Sequence, residues 1–169
     1  MIMLSNIKTW LKKICPLKEF HVKIFAIFLS FITPFIMILS GDMLGSISQY
    51  WSTRYQPLFI ISNIICSYFF FSLKTWKLPS LFLVLVVGFN HYQFNAIHNI
   101  FAICFYFSCL HSLYKNKRFV LYRILFLLSI VIYPYSIILG EIVSIVILCL
   151  HHLRVLLYKE KLTNLRRDI

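Results

Sequence analysis

Long apolar runs alternate with short polar connections along nearly the whole chain. A helix needs about 17–25 residues to cross the hydrocarbon core of a bilayer. Six apolar runs reach or approach this length, over residues 22–40, 57–73, 78–89, 96–114, 119–139 and 140–157. The third is the shortest and also suits a re-entrant segment, but Trp76 and Tyr92 flank it as interfacial aromatic residues do. The pattern therefore predicts an all-α, polytopic membrane helix bundle with six transmembrane helices.

The basic residues predict which connections face the cytoplasm. Lys and Arg are concentrated before the first run, between the second and third, between the fourth and fifth, and after the sixth. If all six runs cross and both termini are cytoplasmic, only Arg54 of the 17 Lys and Arg residues lies outside. This distribution satisfies the positive-inside rule. Five crossings, with the third run re-entrant, place residues 115–118 or the basic tail on the wrong side.

The sequence thus predicts three parts: a basic cytoplasmic N-terminal segment (residues 1–21), a six-helix transmembrane domain (22–157) and a basic cytoplasmic tail (158–169). Composition agrees, since 60% of the residues are hydrophobic, 13% are charged and the mean hydropathy is +0.83. A soluble domain is about 45–50% apolar and about 25% charged. We expect a multi-pass protein of the cell inner (cytoplasmic) membrane, with the lipid bilayer as its partner.

Composition also limits other partners and cofactors. The net charge of +12 comes from bases that lie between apolar runs, not from a basic stripe on a folded surface, so no nucleic-acid partner is predicted. The five cysteines form no Cys-x-x-Cys pair, and we interpret them as small buried hydrophobes. His151 and His152 are adjacent and would point about 100° apart on a helix, which disfavours a metal site with His111. No metal or cofactor is predicted.

Polar side chains are concentrated in the three connections predicted to face outward. The first, "GDMLGSISQYWSTRYQP", is the longest polar stretch in the first half of the chain, and the second, "NHYQFNAIH", brings two histidines. The third is a predicted tight turn at residues 139–141. Ionisable groups at the rim of a membrane bundle are functional candidates. The candidate pocket residues are Asp42, Ser46, Ser48, Tyr50, Thr53, His98 and Glu141.

Each candidate also has a purely structural interpretation. Glu141 would complement the helix dipole in the first turn of the last helix, and His98 would hydrogen-bond to a neighbouring helix. Asp42 follows a glycine, as turn residues do. Ser46 and Ser48 would cap a short interfacial helix. The aromatic residues of the same loop suit the headgroup level, so part of the loop is expected to lie flat on the membrane.

Proline and polar residues within the runs add two expectations. Pro34 and Pro134 lie within the first and fifth runs, where proline is expected to kink the helix. The second run contains several polar residues that would bond to neighbouring helices or line a path. These residues are Ser62, Asn63, Ser67 and Ser72.

Three segments resemble an uncharacterised family of bacterial six-span membrane proteins, a domain of unknown function. "SISQYWSTRYQPLFI" (residues 46–60) resembles its Ser-Ile-Ser-x-Tyr-Tyr-x-Thr segment, "IHNIFAICFYF" (97–107) its His-x-x-x-Ala-x-x-Phe-Phe segment, and "GEIVSIVI" (140–147) its Gly-Glu-Trp segment. The resemblance picks out Ser46, Ser48, Tyr50, Thr53, His98 and Glu141. The chain departs from the family at Gln56-Pro57, where the family has Arg-Asp, and at Ile142, where it has Trp.

That family is distantly similar to eukaryotic multi-span proteins that include autophagy modulators and a GPI-anchor lipid remodelling factor, which implies a lipid-related role. We therefore predict an outward-facing polar pocket that binds a lipid headgroup or small amphiphile, or scaffolds a membrane-protein partner. One alternative is an intramembrane lipid hydrolase with Ser48 or Ser46 as nucleophile, His98 as base, and Glu141 or Asp42 as the orienting carboxylate. A second alternative is an oligomeric pore or small membrane effector. The oligomeric state, and whether the chain is an enzyme, stay open.

Overall fold

The structure, a computed structural model, describes residues 19–39, 44–115 and 119–167. These residues form six α-helices and one 3-10 helix and contain no strand. The elements are α1 (Glu19–Leu39), the 3-10 helix (Ile47–Ser52), α2 (Gln56–Phe71), α3 (Lys77–Gly88), α4 (Asn95–Lys115), α5 (Val120–Ile132) and α6 (Ile137–Arg167). The predicted all-α fold is confirmed.

Three helices of the described residues, α1, α4 and α6, are long and apolar enough to cross a membrane. The other three are apolar but shorter, with 16, 12 and 13 residues. Large apolar side chains such as Phe25, Phe107 and Val131 face outward and are 58–68% exposed. A surface this apolar requires lipid around it. The protein is therefore an all-helical membrane protein.

The boundary between the last two helices differs from the prediction. The α5 helix ends at Ile132, a turn follows over residues 133–136, and α6 begins at Ile137. Pro134 therefore lies in the turn, where its missing N–H removes a helical hydrogen bond and ends the helix. The predicted kink at Pro134 and the predicted tight turn at residues 139–141 were wrong. Pro34, in contrast, lies inside α1.

The helices form a closed ring. Each α-helix packs against its neighbours in sequence, and α6 also packs against α1. The connections after α2 are short, and Ile27 of α1 contacts Cys149 of α6 while Ile47 contacts Glu141, so neighbouring helices run antiparallel. The α1–α2, α3–α4 and α5–α6 connections consequently lie at one end of the ring. We call residues 44–55 the plug, this end the plug end, and the opposite end, where α6 extends beyond the ring, the tail end.

Hydroxyl groups connect the helices of the ring. The Ser67 hydroxyl donates to the Ser80 carbonyl at 2.9 Å, and the Ser80 hydroxyl donates to the Ser67 carbonyl at 2.8 Å. The Ser129 and Ser144 hydroxyls are 2.8 Å apart and connect α5 to α6. Small hydroxyl side chains let membrane helices approach closely and hydrogen-bond to each other. These hydroxyl groups hold neighbouring helices of the ring together without charged side chains.

Aromatic side chains fill the interior of the helix ring near the tail end. His152 is buried, and its ring centroid lies 4.2 Å from that of Trp76 and 5.0 Å from that of Phe70. His151 is 1% exposed and contacts Trp76 and Tyr122. Both histidines are buried in the middle of α6.

Gly140 is the position where α6 approaches the α5–α6 turn most closely. A Cβ atom there would lie 2.6 Å from Cδ2 of Tyr133. We expect Gly140→Ala to lower the unfolding free energy by about 1–3 kcal/mol, the usual cost of overpacking. Thermal unfolding in detergent measures this. Gly88→Ala is the matched control, because no atom lies within 4 Å of its Cβ position, and an equal loss in both variants would contradict the prediction.

Candidate functional site

The plug closes one end of the ring instead of lying flat on the membrane. Its 3-10 helix places Tyr50 in a buried cluster with Met37, Phe59 and Val87, and the Tyr50 side chain is fully buried. Trp51 packs on the same cluster and donates its Nε1 hydrogen to the Val87 carbonyl at 3.0 Å. The predicted flat arrangement is therefore wrong for this part of the loop. The aromatic side chains of Tyr50 and Trp51 point into the interior of the helix ring.

Two of the candidate residues shape the plug itself. Ser46 precedes the 3-10 helix with extended backbone angles (φ −151°, ψ 158°), but its hydroxyl makes no capping bond. It lies instead 2.9 Å from the Ser48 hydroxyl. The Thr53 hydroxyl donates to the Tyr50 carbonyl at 2.9 Å and accepts the Tyr55 amide at 3.1 Å. Thr53 thereby ends the 3-10 helix and directs the chain into α2.

Glu141 joins the plug to the last helix. It is the fifth residue of α6, so it lies beyond the first turn, and the predicted capping of its own helix was wrong. Its Oε2 atom accepts the amide hydrogen of Ile47, with an N–O distance of 2.6 Å. The first amides of any helix lack a partner within that helix. Glu141 satisfies the first amide of the 3-10 helix, 94 positions away in sequence.

His98 hydrogen-bonds to the end of the neighbouring helix. Its imidazole is 3% exposed, and Nδ1 lies 2.8 Å from the carbonyl oxygen of Phe89, which follows α3. A carbonyl can only accept, so the hydrogen is on Nδ1, and Nε2 is left as an acceptor. The ring of His91 lies edge-on at 5.3 Å. The helix-to-helix bond expected for His98 is present.

A pocket inside the ring brings three of the candidates together. Ser48, His98 and Glu141 all line this pocket, whose volume is about 130 Å³. The pocket continues along α6 to His152. Eleven residues of helix correspond to about 16 Å, so the lining residues of α6 extend over about that distance. Its plug end is polar, and its wall farther along is mostly apolar.

The remaining candidates do not line the pocket. Ser46 contacts it only through Ser48, while Tyr50 and Thr53 support the plug. Asp42 lies outside the described residues. Several lining residues were missed by the sequence analysis. They include Ser30, Cys66, Ser144 and His152. The pocket-lining residues of α6 recur at intervals of three and four, so this helical periodicity was the available signal.

The hydrogen bonds of the site determine what it can do chemically. Within the described residues, no hydrogen bond joins Ser48, His98 and Glu141 to one another, because each has another partner. The described residues also contain no group of three or more His, Cys, Asp or Glu side chains placed to hold a metal. What remains is a set of polar groups around the plug end of a largely apolar pocket. Such a surface suits an amphiphile.

We found no match to the chain among protein-family models, curated proteins or solved structures. The resemblance to a bacterial six-span family therefore stays a prediction. Functional inference rests on the geometry of the plug and the pocket.

The hydrogen bond between the Glu141 carboxyl and the Ile47 amide predicts which substitution will let the plug open. We expect Glu141→Ala to leave the Ile47 amide unpaired at a cost of about 1–3 kcal/mol. Local opening of the plug should then increase about tenfold. Trypsin cleavage after Arg54, an exposed plug residue, measures the opening in detergent-solubilised protein.

Two variants control this experiment. Glu141→Gln keeps a carbonyl oxygen that can accept the Ile47 amide, so its cleavage should remain near that of the wild type. Glu160→Ala removes a carboxyl of the same helix outside the pocket and should have no effect. Wild-type cleavage in Glu141→Ala would mean that the carboxyl does not hold the plug.

Proposed function

We propose that this chain is a six-span protein of the cytoplasmic membrane that binds an amphiphile in the pocket inside its helix ring. The observation that carries the proposal is the combination of Ser48, His98 and Glu141 with a long apolar wall in one pocket. The polar part of the ligand would lie at the plug end and its apolar part along α6. Pockets for small ligands usually combine a mainly apolar lining with a few placed polar groups.

The distribution of charge supports an outward-facing plug end. Among the described side chains, Arg54 is the one Lys or Arg at the plug end. The other bases lie toward the tail end: Lys23, Lys74, Lys77, Lys115, Arg123, Arg154, Lys159 and Lys161. The positive-inside rule then assigns the tail end, with both termini, to the cytoplasm.

The three shorter helices can cross the membrane only if the bilayer thins locally or flanking residues extend their reach. With 16, 12 and 13 residues, α2, α3 and α5 are roughly 18–24 Å long at 1.5 Å per residue, against a hydrocarbon core of about 30 Å. A short apolar segment is accommodated by local thinning of the bilayer. Flanking turns and interfacial rings such as Trp76 and Tyr92 extend the reach of α3.

Cysteine labelling in intact cells tests the topology. In a cysteine-free background, we expect an impermeant maleimide to label Ser52→Cys in the plug and Gln93→Cys in the α3–α4 connection. The reagent should not reach Lys74→Cys or Lys159→Cys until the cells are opened. All four positions are exposed, so differences in labelling report the side of the membrane. Labelling of Lys74→Cys from outside would contradict six crossings.

The hydrogen bonds of the site support binding more than hydrolysis. A general base must lie within hydrogen-bond reach of the group it activates, directly or through a water. Ser48 instead pairs with Ser46, and within the described residues no hydrogen bond joins it to His98. Glu141 holds the plug amide of Ile47. These partners stabilise the wall of a pocket.

The polar residues of α2 also support a closed pocket more than a conducting path. The Ser62 hydroxyl and the Asn63 amide both donate to the Phe59 carbonyl. Ser72 donates to the Phe69 carbonyl, and Ser67 pairs with α3. Groups that are already hydrogen-bonded to the protein contribute less to the solvation of a passing ion.

Filling the pocket tests the proposal directly. Ala102 lines the pocket on α4, whereas Ala96 on the same helix is exposed and outside it. We expect Ala102→Leu to reduce photocrosslinking of a diazirine derivative of dodecanol to pocket residues several-fold, because the added side chain occupies the space. Ala96→Leu should leave the crosslinking unchanged.

Mass spectrometry of the crosslinked peptides locates the probe, and thermal unfolding of both variants verifies folding. Crosslinks confined to lipid-facing residues such as Phe25 and Phe28 in the wild type would contradict the proposal.

A further inference from the structure

The hydrogen-bond donors of the pocket wall are largely engaged with the protein. The hydroxyls of Ser30 and Thr33 donate to the Ala26 and Leu29 carbonyls. The Ser129 hydroxyl donates to the Phe126 carbonyl, so the hydrogen between Ser144 and Ser129 belongs to Ser144. The donors that remain in the wall, on Ser48, Asn63 and Tyr106, are neutral.

The acceptors of the pocket, in contrast, are open to a ligand. Among the described residues, none donates to Oε1 of Glu141, since the Ile47 amide bonds to Oε2. His98 and His152 both direct their Nδ1 hydrogens to backbone carbonyls, which leaves each Nε2 as an acceptor. The His152 side chain is 4% exposed, and its buried Nε2 has no partner among the described residues.

A backbone carbonyl adds one more acceptor. Pro34 lies inside α1 and has no N–H, so the carbonyl of Ser30, four residues earlier, lacks its usual helical partner. Both residues line the pocket. The proline thus leaves one helix carbonyl of a pocket-lining residue without its usual partner.

The pocket also lacks the charge that an anionic ligand requires. No Lys or Arg is among the described residues that line it. Burying a phosphate or carboxylate without a cationic partner costs several kcal/mol. An ammonium group also loses its hydration on burial, but here Glu141 provides an opposite charge and open acceptors that offset this cost.

We propose that the ligand is a single-chain amphiphilic amine whose protonated amino group lies between Glu141 and His98, with its alkyl chain extending along α6. This inference rests on the proposed function and specifies its ligand class. The pocket measures about 130 Å³, less than the cavity of about 150 Å³ that holds benzene, so it encloses the amino group and the first few carbons of one chain. The rest of the chain leaves the pocket. The phosphate of a phospholipid, in contrast, would lie in the pocket without a cationic partner.

Competition between ligands of equal chain length tests the inference. The full chain is reconstituted in nanodiscs of zwitterionic lipid and crosslinked with the diazirine derivative of dodecanol. Dodecylamine, dodecanol and dodecyl phosphate are then compared as competitors. We expect dodecylamine to displace the probe from pocket residues at a concentration about tenfold or more below that of dodecyl phosphate, since a hydrogen bond to a charged group contributes about 1.5–3 kcal/mol.

Substitutions of Glu141 and Glu160 test whether the preference for the amine arises in the pocket. Glu141→Gln should remove the advantage of dodecylamine over dodecanol, because a neutral amide lacks the charge that attracts the ammonium group. Glu160→Gln, outside the pocket on the same helix, should retain the advantage. If Glu141→Gln does not fold, the order of the three competitors on the wild type decides the question.

The outcomes separate this inference from the proposed function. Displacement by all three competitors at equal concentrations would overturn selection for amines and leave amphiphile binding intact. Stronger displacement by dodecyl phosphate would also overturn it, as would an amine advantage that survives Glu141→Gln. Failure of every competitor to displace the probe from the pocket would overturn amphiphile binding itself.

Discussion

The hydrogen bond from the Ile47 amide to the Glu141 carboxyl is the contact on which the arrangement of the site depends. It joins the plug to α6, and it places the carboxyl at the top of the pocket. A buried acceptor and a buried helix-terminal amide each carry a penalty when unpaired. Their pairing removes both penalties at once and fixes the plug over the ring. Ser48 is brought to the pocket as a consequence.

The ring itself depends on how membrane helices adhere to one another. Apolar surface gains nothing by leaving lipid for another helix, so packing and hydrogen bonding must hold the helices together. Here paired serines provide those bonds between α2 and α3 and between α5 and α6. A ring closed in this way leaves an interior that is not completely filled. The pocket is the space that this closure leaves inside the ring. Apolar side chains form most of its wall. Glu141, His98 and His152 each contribute an acceptor atom that has no hydrogen-bond partner among the described residues.

Much of the fold could be predicted from the sequence, because apolar run length reports directly on membrane helices. The bounds of α1 to α4 agree with the predicted runs to within a few residues. The α5–α6 boundary could not be found in this way, because the turn around Pro134 is itself apolar and does not interrupt the run. The role of Glu141 could not be predicted either, since its partner is a backbone amide distant in sequence. Only the folded plug presents that amide.

The uninterrupted length of α6 has a mechanical consequence. The helix runs for 31 residues, Ile137–Arg167. It connects Glu141, which holds the plug, to the exposed lysines Lys159 and Lys161 beyond the tail end of the ring. A straight helix behaves as a stiff rod, so a rotation about its axis at one end appears undiminished at the other. A ligand that turned α6 on meeting Glu141 would turn those lysines as well, so the pocket is mechanically connected to the tail end of the molecule.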